Sequence, residues 1–298
     1  MGAVAYRGRF APSPSGPLHF GSLVAAVASY ADARHSQGEW LVRIEDIDET
    51  RTQRGAERAI LDSLQLFGMQ WDAPPVRQSQ RKPLYKAALD RLIERRSAFR
   101  CTCSRKTIGA LARMGQEGPI YPGTCLANPP PDNVRAAWRL HVEQGTTGFT
   151  DKILGPIRQD LCHQVGDFVI RRIDGFFAYQ LAVVVDDHEQ QITDVVRGVD
   201  LLWSTPRQVW LQQQLGYATP AYAHIPLVYD DAGKKLSKRT MADAINNADP
   251  TAALLAAWRH LGQQPPTSAL SDASAFWDWA IPRWRIEQVP RDRTTKHD

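Results

Sequence analysis

Residues 11–17 hold three prolines and a glycine, and they lie between an extended stretch and a helical one. This junction limits the fold more than any other feature of the chain. Residues 7–10 alternate in a way that suits a strand. The proline-rich segment after them is a rigid loop. Leu23, Val27 and Tyr30 then follow at i, i+4 and i+7, one face of a helix. Residues 40–44 form a short apolar strand. The order strand, loop, helix, strand predicts a parallel sheet of the doubly wound α/β type.

The rest of the pattern is read more coarsely. Helices are expected at 56–67 and 84–96, and a loop at 121–133. Strands are expected at 168–173 and 176–185, joined by a turn at Asp174-Gly175, and another strand at 192–197. Helices follow at 206–215, 252–261 and 275–281, and a frayed tail from 290 onward. With 298 residues, 43% of them hydrophobic, the chain can bury a substantial core. No run approaches the ~18 apolar residues of a membrane span, and the N-terminus lacks a signal-peptide core. A cytoplasmic, monomeric protein with no membrane partner is expected. The net charge of +4, from 36 basic and 32 acidic residues, suits a polyanionic partner only if it is clustered. Arg34, Arg81, Lys82, Arg105 and Lys106 are scattered, and the sequence does not choose among them.

Two segments carry chemistry. In the first, the loop ends in Leu18-His19-Phe20-Gly21-Ser22 at a helix N-terminus, where backbone N–H groups and the helix dipole favour phosphate. His19 and Ser22 share the first turn, and Gly21 admits a base or ribose close to the backbone. The second is Lys234-Lys235-Leu236-Ser237-Lys238-Arg239, after Asp231-Ala232-Gly233. Cations placed there would stabilise charge growing on a pyrophosphate leaving group. Taken singly, the first segment could be a rigid turn with an incidental histidine, and the second a solvated basic loop.

As a pair, they resemble the signatures of class I aminoacyl-tRNA synthetases, written HIGH and KMSKS. The departures are Phe20, Ser22, Leu236 and Arg239. The resemblance implies a Rossmann-like catalytic domain with His19 and Lys238 catalytic. It also implies an ATP site of His19, Gly21, Ser22, Lys235, Ser237 and Lys238, with Mg²⁺ accompanying ATP. The flanks Arg9-Phe10-Ala11-Pro12-Ser13, Leu41-Val42-Arg43-Ile44-Glu45-Asp46-Ile47-Asp48 and Val195-Val196-Arg197-Gly198-Val199-Asp200 are similar to the glutamyl branch. Glutamate has two carboxylates and one ammonium. Arg9 and Arg197 suit the carboxylates, because guanidinium binds them bidentately. Glu45, at a strand C-terminus, suits the ammonium. Tyr179, expected on its own strand, adds a hydroxyl. The resemblance carries these over as glutamate contacts, with Phe10, Ala11, Pro12 and Ser13 beside them. Asp186-Asp187-His188 is read as structural or loop, and Asp46 and Asp48 as solvated.

Three of the four cysteines cluster: Cys101-Thr102-Cys103 and Tyr121-Pro122-Gly123-Thr124-Cys125. Three thiolates fill three corners of a tetrahedral zinc site, and a phenolate is an unusual fourth ligand. The alternative is three free thiols, and Cys162 is read as structural. The pattern is similar to the zinc element of a family within the glutamyl branch, the glutamyl-queuosine tRNA(Asp) synthetases. The resemblance implies one structural zinc on Cys101, Cys103, Tyr121 and Cys125. After Arg239 only 59 residues follow, room for little beyond a small helical element. The expected organisation is residues 1–98 and 166–240 as the two halves of the catalytic domain. A zinc-binding insertion occupies 99–165 and a helical part 241–298, with no anticodon-binding domain. The implied reaction is tRNA-independent activation of L-glutamate by ATP and its transfer to the queuosine base at the wobble position of tRNA(Asp). The alternatives are a short glutamyl- or glutaminyl-tRNA synthetase acting on a 3′ end, or a non-catalytic tRNA-binding protein.

Overall fold

The computed structural model describes residues 5–115, 118–229 and 249–292. Strand β1 (Arg7–Phe10) runs into the proline-rich turn, where Gly16 takes a φ of +141° that other residues rarely adopt. Helix α1 (Phe20–His35) returns the chain, and β2 (Glu39–Ile44) pairs in parallel with β1, Arg9 opposite Leu41. Helix α1 is apolar on nearly every side and buried over most of its length, as a helix inside a core must be. Helix α2 (Ala56–Leu66) leads to β3 (Val76–Arg77), which extends the parallel sheet beyond β2. Helix α3 (Lys82–Glu94) follows.

The middle of the chain has a different character. Strand β4 (Ala98–Cys101) precedes α4 (Arg105–Leu111) and a small ribbon of β5 (Met114–Gly115) and β6 (Gly118–Pro119). Helix α5 (Thr124–Ala127) sits inside the stretch predicted as loop. Strand β7 (Ala137–Leu140) pairs antiparallel with β4. Strands β8 (Thr146–Asp151) and β9 (Gly155–Asp160) form a hairpin, followed by α6 (Leu161–Gln164). Strand β10 (Phe168–Arg171) then closes the β10-β7-β4 sheet.

The segment 176–185 departs from the sequence reading. It is not a second strand: after a single bridge between Arg171 and Phe177 the chain enters helix α7 (Tyr179–Glu189). Tyr179 therefore stands at a helix N-terminus rather than on a strand. A continuous apolar run reads alike as a buried strand or a buried helix. Leu181 to Asp187 are all buried, so the run showed no polar face to reveal the period. Strand β11 (Asp194–Gly198), helix α8 (Thr205–Leu215) and strand β12 (Ala221–Ile225) complete a second parallel unit, with Arg197 opposite His224. Tyr222 of β12 bridges Asp151 of β8. The two parallel units meet where the Thr193 amide donates to the Arg7 carbonyl at 3.0 Å, giving the doubly wound arrangement. Helices α9 (Pro250–His260) and α10 (Ala273–Ala280) cover α1. Trp277 packs edge-on against Tyr30, and the Trp284 indole donates to Asp32 at 2.9 Å. These helices share one apolar core with α1, β1 and β2. Among the described residues, no helix is long and apolar enough to cross a membrane.

Candidate active site

A cleft of about 450 Å³ opens at the C-terminal ends of β1, β2, β11 and β12, where open α/β sheets bind ligands. It brings together all the described glutamate and ATP candidates: Arg9, Phe10, Ala11, Pro12, Ser13, His19, Gly21, Ser22, Glu45, Tyr179 and Arg197. Lys235, Ser237 and Lys238 lie outside the described residues.

One wall is the N-terminus of α1. His19 caps it, its ring Nδ1 accepting the Ser22 amide at 3.3 Å, and Nε2 lies 3.0 Å from the Ser22 hydroxyl. The helix dipole at this end suits a phosphate chain.

The floor is a buried ionic lattice. The Arg9 Nε donates to Asp187 at 3.2 Å, and Arg43 reaches the same Asp187 oxygen at 2.8 Å and Glu45 at 3.4 Å. Asp186 accepts from Arg81 at 2.6 Å, Tyr85 at 2.8 Å and Gln78 at 2.9 Å. Burial opposes ionisation of Asp187, but Arg9 and Arg43 outweigh it and hold the carboxyl below its ordinary range. At Glu45 the balance is reversed: burial raises it despite Arg43 and Arg9. A cation beside Glu45 would favour its ionised form, and a ligand ammonium is such a cation.

The opposite wall presents Arg197, held on every side. Its Nη2 donates to Thr205 and Gln208, each at 2.8 Å, its Nη1 to the Tyr179 hydroxyl at 3.4 Å, and its Nε to His224 Nε2 at 3.2 Å. His224 Nδ1 in turn donates to Asp151 at 2.6 Å. Asp151 also accepts the amides of Ile153 and Leu154, each at 2.9 Å. Burial, with Arg197 adding to it, brings the imidazole down to about 4 against the pull of Asp151. The ring is therefore neutral, and its Nε2 lone pair faces the Arg197 Nε at 3.2 Å and the Thr205 hydroxyl at 3.1 Å. The cleft thus offers two fixed guanidiniums, one carboxyl group and a helix N-terminus.

Cys101, Cys103 and Cys125 form a second cluster, with all three sulfurs within 4.8 Å of one another. The Cys103 and Cys125 sulfurs are 3.5 Å apart, and the Tyr121 oxygen lies 3.4 Å from Cys101 and 3.7 Å from Cys103. A tetrahedral centre with zinc–sulfur bonds of ~2.3 Å separates its sulfurs by about 3.8 Å and its sulfur–oxygen pairs by about 3.5 Å. Burial raises the Cys125 thiol, but hydrogen bonds led by the Tyr121 hydroxyl outweigh it and bring the thiol down to about 6. The donor set fits a metal ion.

Residues 5–269 match the family described as tRNA synthetases class I (E and Q), catalytic domain. The glutamyl-Q tRNA(Asp) synthetase of Dechloromonas aromatica is 53% identical over 289 residues, covering 96% of each chain. That of Aromatoleum aromaticum is 52% identical over 293 residues, covering 97% of this chain and 92% of the relative. The chain belongs to the glutamyl-Q tRNA(Asp) synthetase family, within the class I tRNA synthetases. A glutamate-tRNA synthetase from Elizabethkingia anophelis shares its fold, with a TM-score of 0.78 at 24% identity, over 97% of this chain and 67% of that one.

Within this synthetase several cleft residues escaped the sequence reading. Asp200 and the segment 225–228 line the cleft, and Arg43, Asp151, Asp187 and His224 set its charges. The Arg197-Gly198-Val199-Asp200 run drew attention only through its arginine. At Gly198 a Cβ would sit 2.6 Å from an Asp200 oxygen, so any side chain there would push the Asp200 carboxylate aside. Asp186 and Asp187 belong to helix α7, not a loop, and they are structural through buried ion pairs. Asp46, read as solvated, accepts the Ser79 amide at 2.8 Å and hydroxyl at 2.6 Å.

Proposed function

We propose that this synthetase activates L-glutamate with ATP and Mg²⁺, without tRNA, and passes the glutamyl group to the queuosine base at the wobble position of tRNA(Asp). The convergence of Arg9, Glu45, Tyr179 and Arg197 on one cleft beside the α1 N-terminus carries the reading. The names of its relatives point the same way.

In the first step a glutamate carboxylate oxygen attacks the α-phosphorus, the bond to the β-phosphate oxygen breaks, and pyrophosphate leaves. Arg9 and Arg197 hold the two carboxylates, Glu45 holds the ammonium, and Tyr179 hydrogen-bonds the substrate. His19, Gly21 and Ser22 receive the phosphates. Lys238, with Lys235 and Ser237, is assigned to the leaving group on its sequence signature alone. In the second step a hydroxyl of the queuosine cyclopentenediol attacks the activated carbonyl, its proton is released, and AMP departs. Orientation of the bound adenylate supplies much of the rate. One structural zinc on Cys101, Cys103, Tyr121 and Cys125 would fix the β4–α5 region and leave no open coordination position. The protein is assigned to the cytoplasm, as a monomer.

Radiolabelled glutamate, offered with purified tRNA(Asp) carrying or lacking queuosine, tests the reading. Transfer to the modified tRNA alone is expected. Equal transfer to the unmodified transcript would favour 3′-end charging. No glutamate-dependent ATP–pyrophosphate exchange would leave a tRNA-binding protein.

A further inference from the structure

The basic residues that look equivalent in the sequence differ in what they face. Arg34 is matched by Asp72 at 2.8 Å, Arg81 by Asp186 at 2.6 Å, and Lys82 by Glu49. Paired in this way, they contribute little field beyond their own carboxylates.

Another set of arginines is arranged differently. A groove of about 240 Å³ lies between β4, β7 and the turn after β10, and is lined by Arg100, Arg135, Arg171, Arg172, Trp138 and Ile173. Arg135 donates to the Ile173 carbonyl at 3.2 Å, and Arg171 to the Gly175 carbonyl at 3.3 Å. Among the described residues neither is paired with a carboxylate. Arg100 pairs with the fully exposed Asp132 at 2.8 Å and also donates to the carbonyls of Pro131 and Asp132. Arg172 pairs with Asp174 on its own turn at 2.5 Å. Four guanidiniums thus face two solvent-exposed carboxylates, Asp132 and Asp174, with Asp48 also close enough to Arg172 to interact with it electrostatically. A carbonyl fixes a guanidinium without neutralising it, so the groove keeps oriented positive charge. Beside that charge, Ile173 is 50% and Val134 43% exposed, and Trp138 contributes an aromatic ring. Guanidiniums for phosphates next to apolar and aromatic surface for unstacked bases is the chemistry of a looped RNA strand.

The groove is also linked to the cleft through neighbouring chain segments. Gly175 borders both the groove and a smaller hollow walled by Ile47 and Phe177. Ile47 lies two residues beyond Glu45, and Phe177 two residues before Tyr179, both of them cleft residues. One chain segment therefore leads from the groove to Tyr179, and a second leads from the adjoining hollow to Glu45.

We propose that this arginine groove grips the RNA backbone flanking the nucleotide that enters the cleft, so that the acceptor is held as a stem-loop. The inference rests on the reading that the acceptor is a tRNA.

The test uses the full-length enzyme and an Arg135→Ala/Arg172→Ala double variant, which removes two exposed side chains. Glutamate-dependent ATP–pyrophosphate exchange without tRNA should match the wild type. The KM for queuosine-bearing tRNA(Asp) in the transfer reaction should rise at least tenfold. The slope of log KM against log salt should fall by about 1.5, as expected for two lost phosphate contacts. An unchanged tRNA KM and salt slope, in this variant and in Arg135→Glu/Arg172→Glu, would overturn the proposal. If exchange falls in the double variant, the single alanine variants give the same readings. If the wild type transfers no glutamate to this tRNA, the proposed function fails instead. Filter binding of the same tRNA to wild type and variant then still decides on the groove.

Discussion

Arg197 shows how much of this cleft is decided one side chain away from any ligand. Its four donor contacts use Tyr179, Thr205, Gln208 and His224, and the histidine serves only because Asp151 takes its other proton. A protonated ring would point an N–H at the guanidinium. Two polar replacements separate the roles of the two ring nitrogens. His224→Gln can place its amide oxygen near the Nε2 position and keep accepting from Arg197, so the glutamate KM should stay within about threefold of wild type. His224→Asn reaches only the Nδ1 position and leaves the Arg197 Nε unsatisfied, a loss of about 1–3 kcal/mol. Its glutamate KM should rise about tenfold or more in pyrophosphate exchange, with the ATP KM unchanged. Equal effects from both variants would make His224 a packing residue. At this scale the sequence showed the arginines and Glu45, because their signatures are local. It hid their supports. Arg9 meets Asp187 across 178 residues, Arg43 meets Gln190 across 147, and His224 meets Asp151 across 73, and no local pattern links such pairs.

Secondary-structure elements divide into those with a visible period and those without. Helix α2 alternates polar and apolar faces and is legible almost to its ends; α7 is buried without a break from Leu181 to Asp187 and is not. Tyr179 reaches the cleft from a helix as it would from a strand, because it follows the turn at Asp174-Gly175 by a fixed length of chain. The cysteine region was legible for another reason, since ligand spacing is itself a local pattern. Zinc analysis of the purified protein should find one ion per chain, and Cys125→Ser should lose it and lower the melting temperature. Tyr121→Phe keeps the ring that Arg139 stacks on at 4.1 Å but removes the oxygen. Zinc affinity should drop at least tenfold in a competition titration with a chelator. Undiminished affinity would remove Tyr121 from the ligand set.

For the molecule as a whole, the C-terminal helices belong to the same core as the first strands. Trp284 is 1% exposed, packs on Trp258 and donates to Asp32. Trp284→Ala should therefore destabilise the entire catalytic unit by about 3–5 kcal/mol, seen as a single shifted transition in urea. An early, separate transition would instead mean that α9 and α10 unfold on their own. Acid should act globally too. His224 is neutral when folded, with a pKa of about 4 against an ordinary 6.5, so the unfolded chain binds the extra proton. Stability should fall as the pH drops from 6.5 towards 4, by up to about 3 kcal/mol from this group, and His224→Gln should flatten that stretch of the curve.

The contact between Arg7 and Thr193 spans 186 residues, and that between Asp32 and Trp284 spans 252. On a ribosome adding ~5–20 residues per second, helix α1 emerges roughly 10–50 s before the indole that covers it. During that interval Tyr30, buried in the finished protein, lacks Trp277, and Asp32 lacks the Trp284 indole. The first half of the nucleotide cleft is then present as a half-built apolar surface. Translation speed and chaperone supply should therefore govern the yield of active enzyme more than its final stability does.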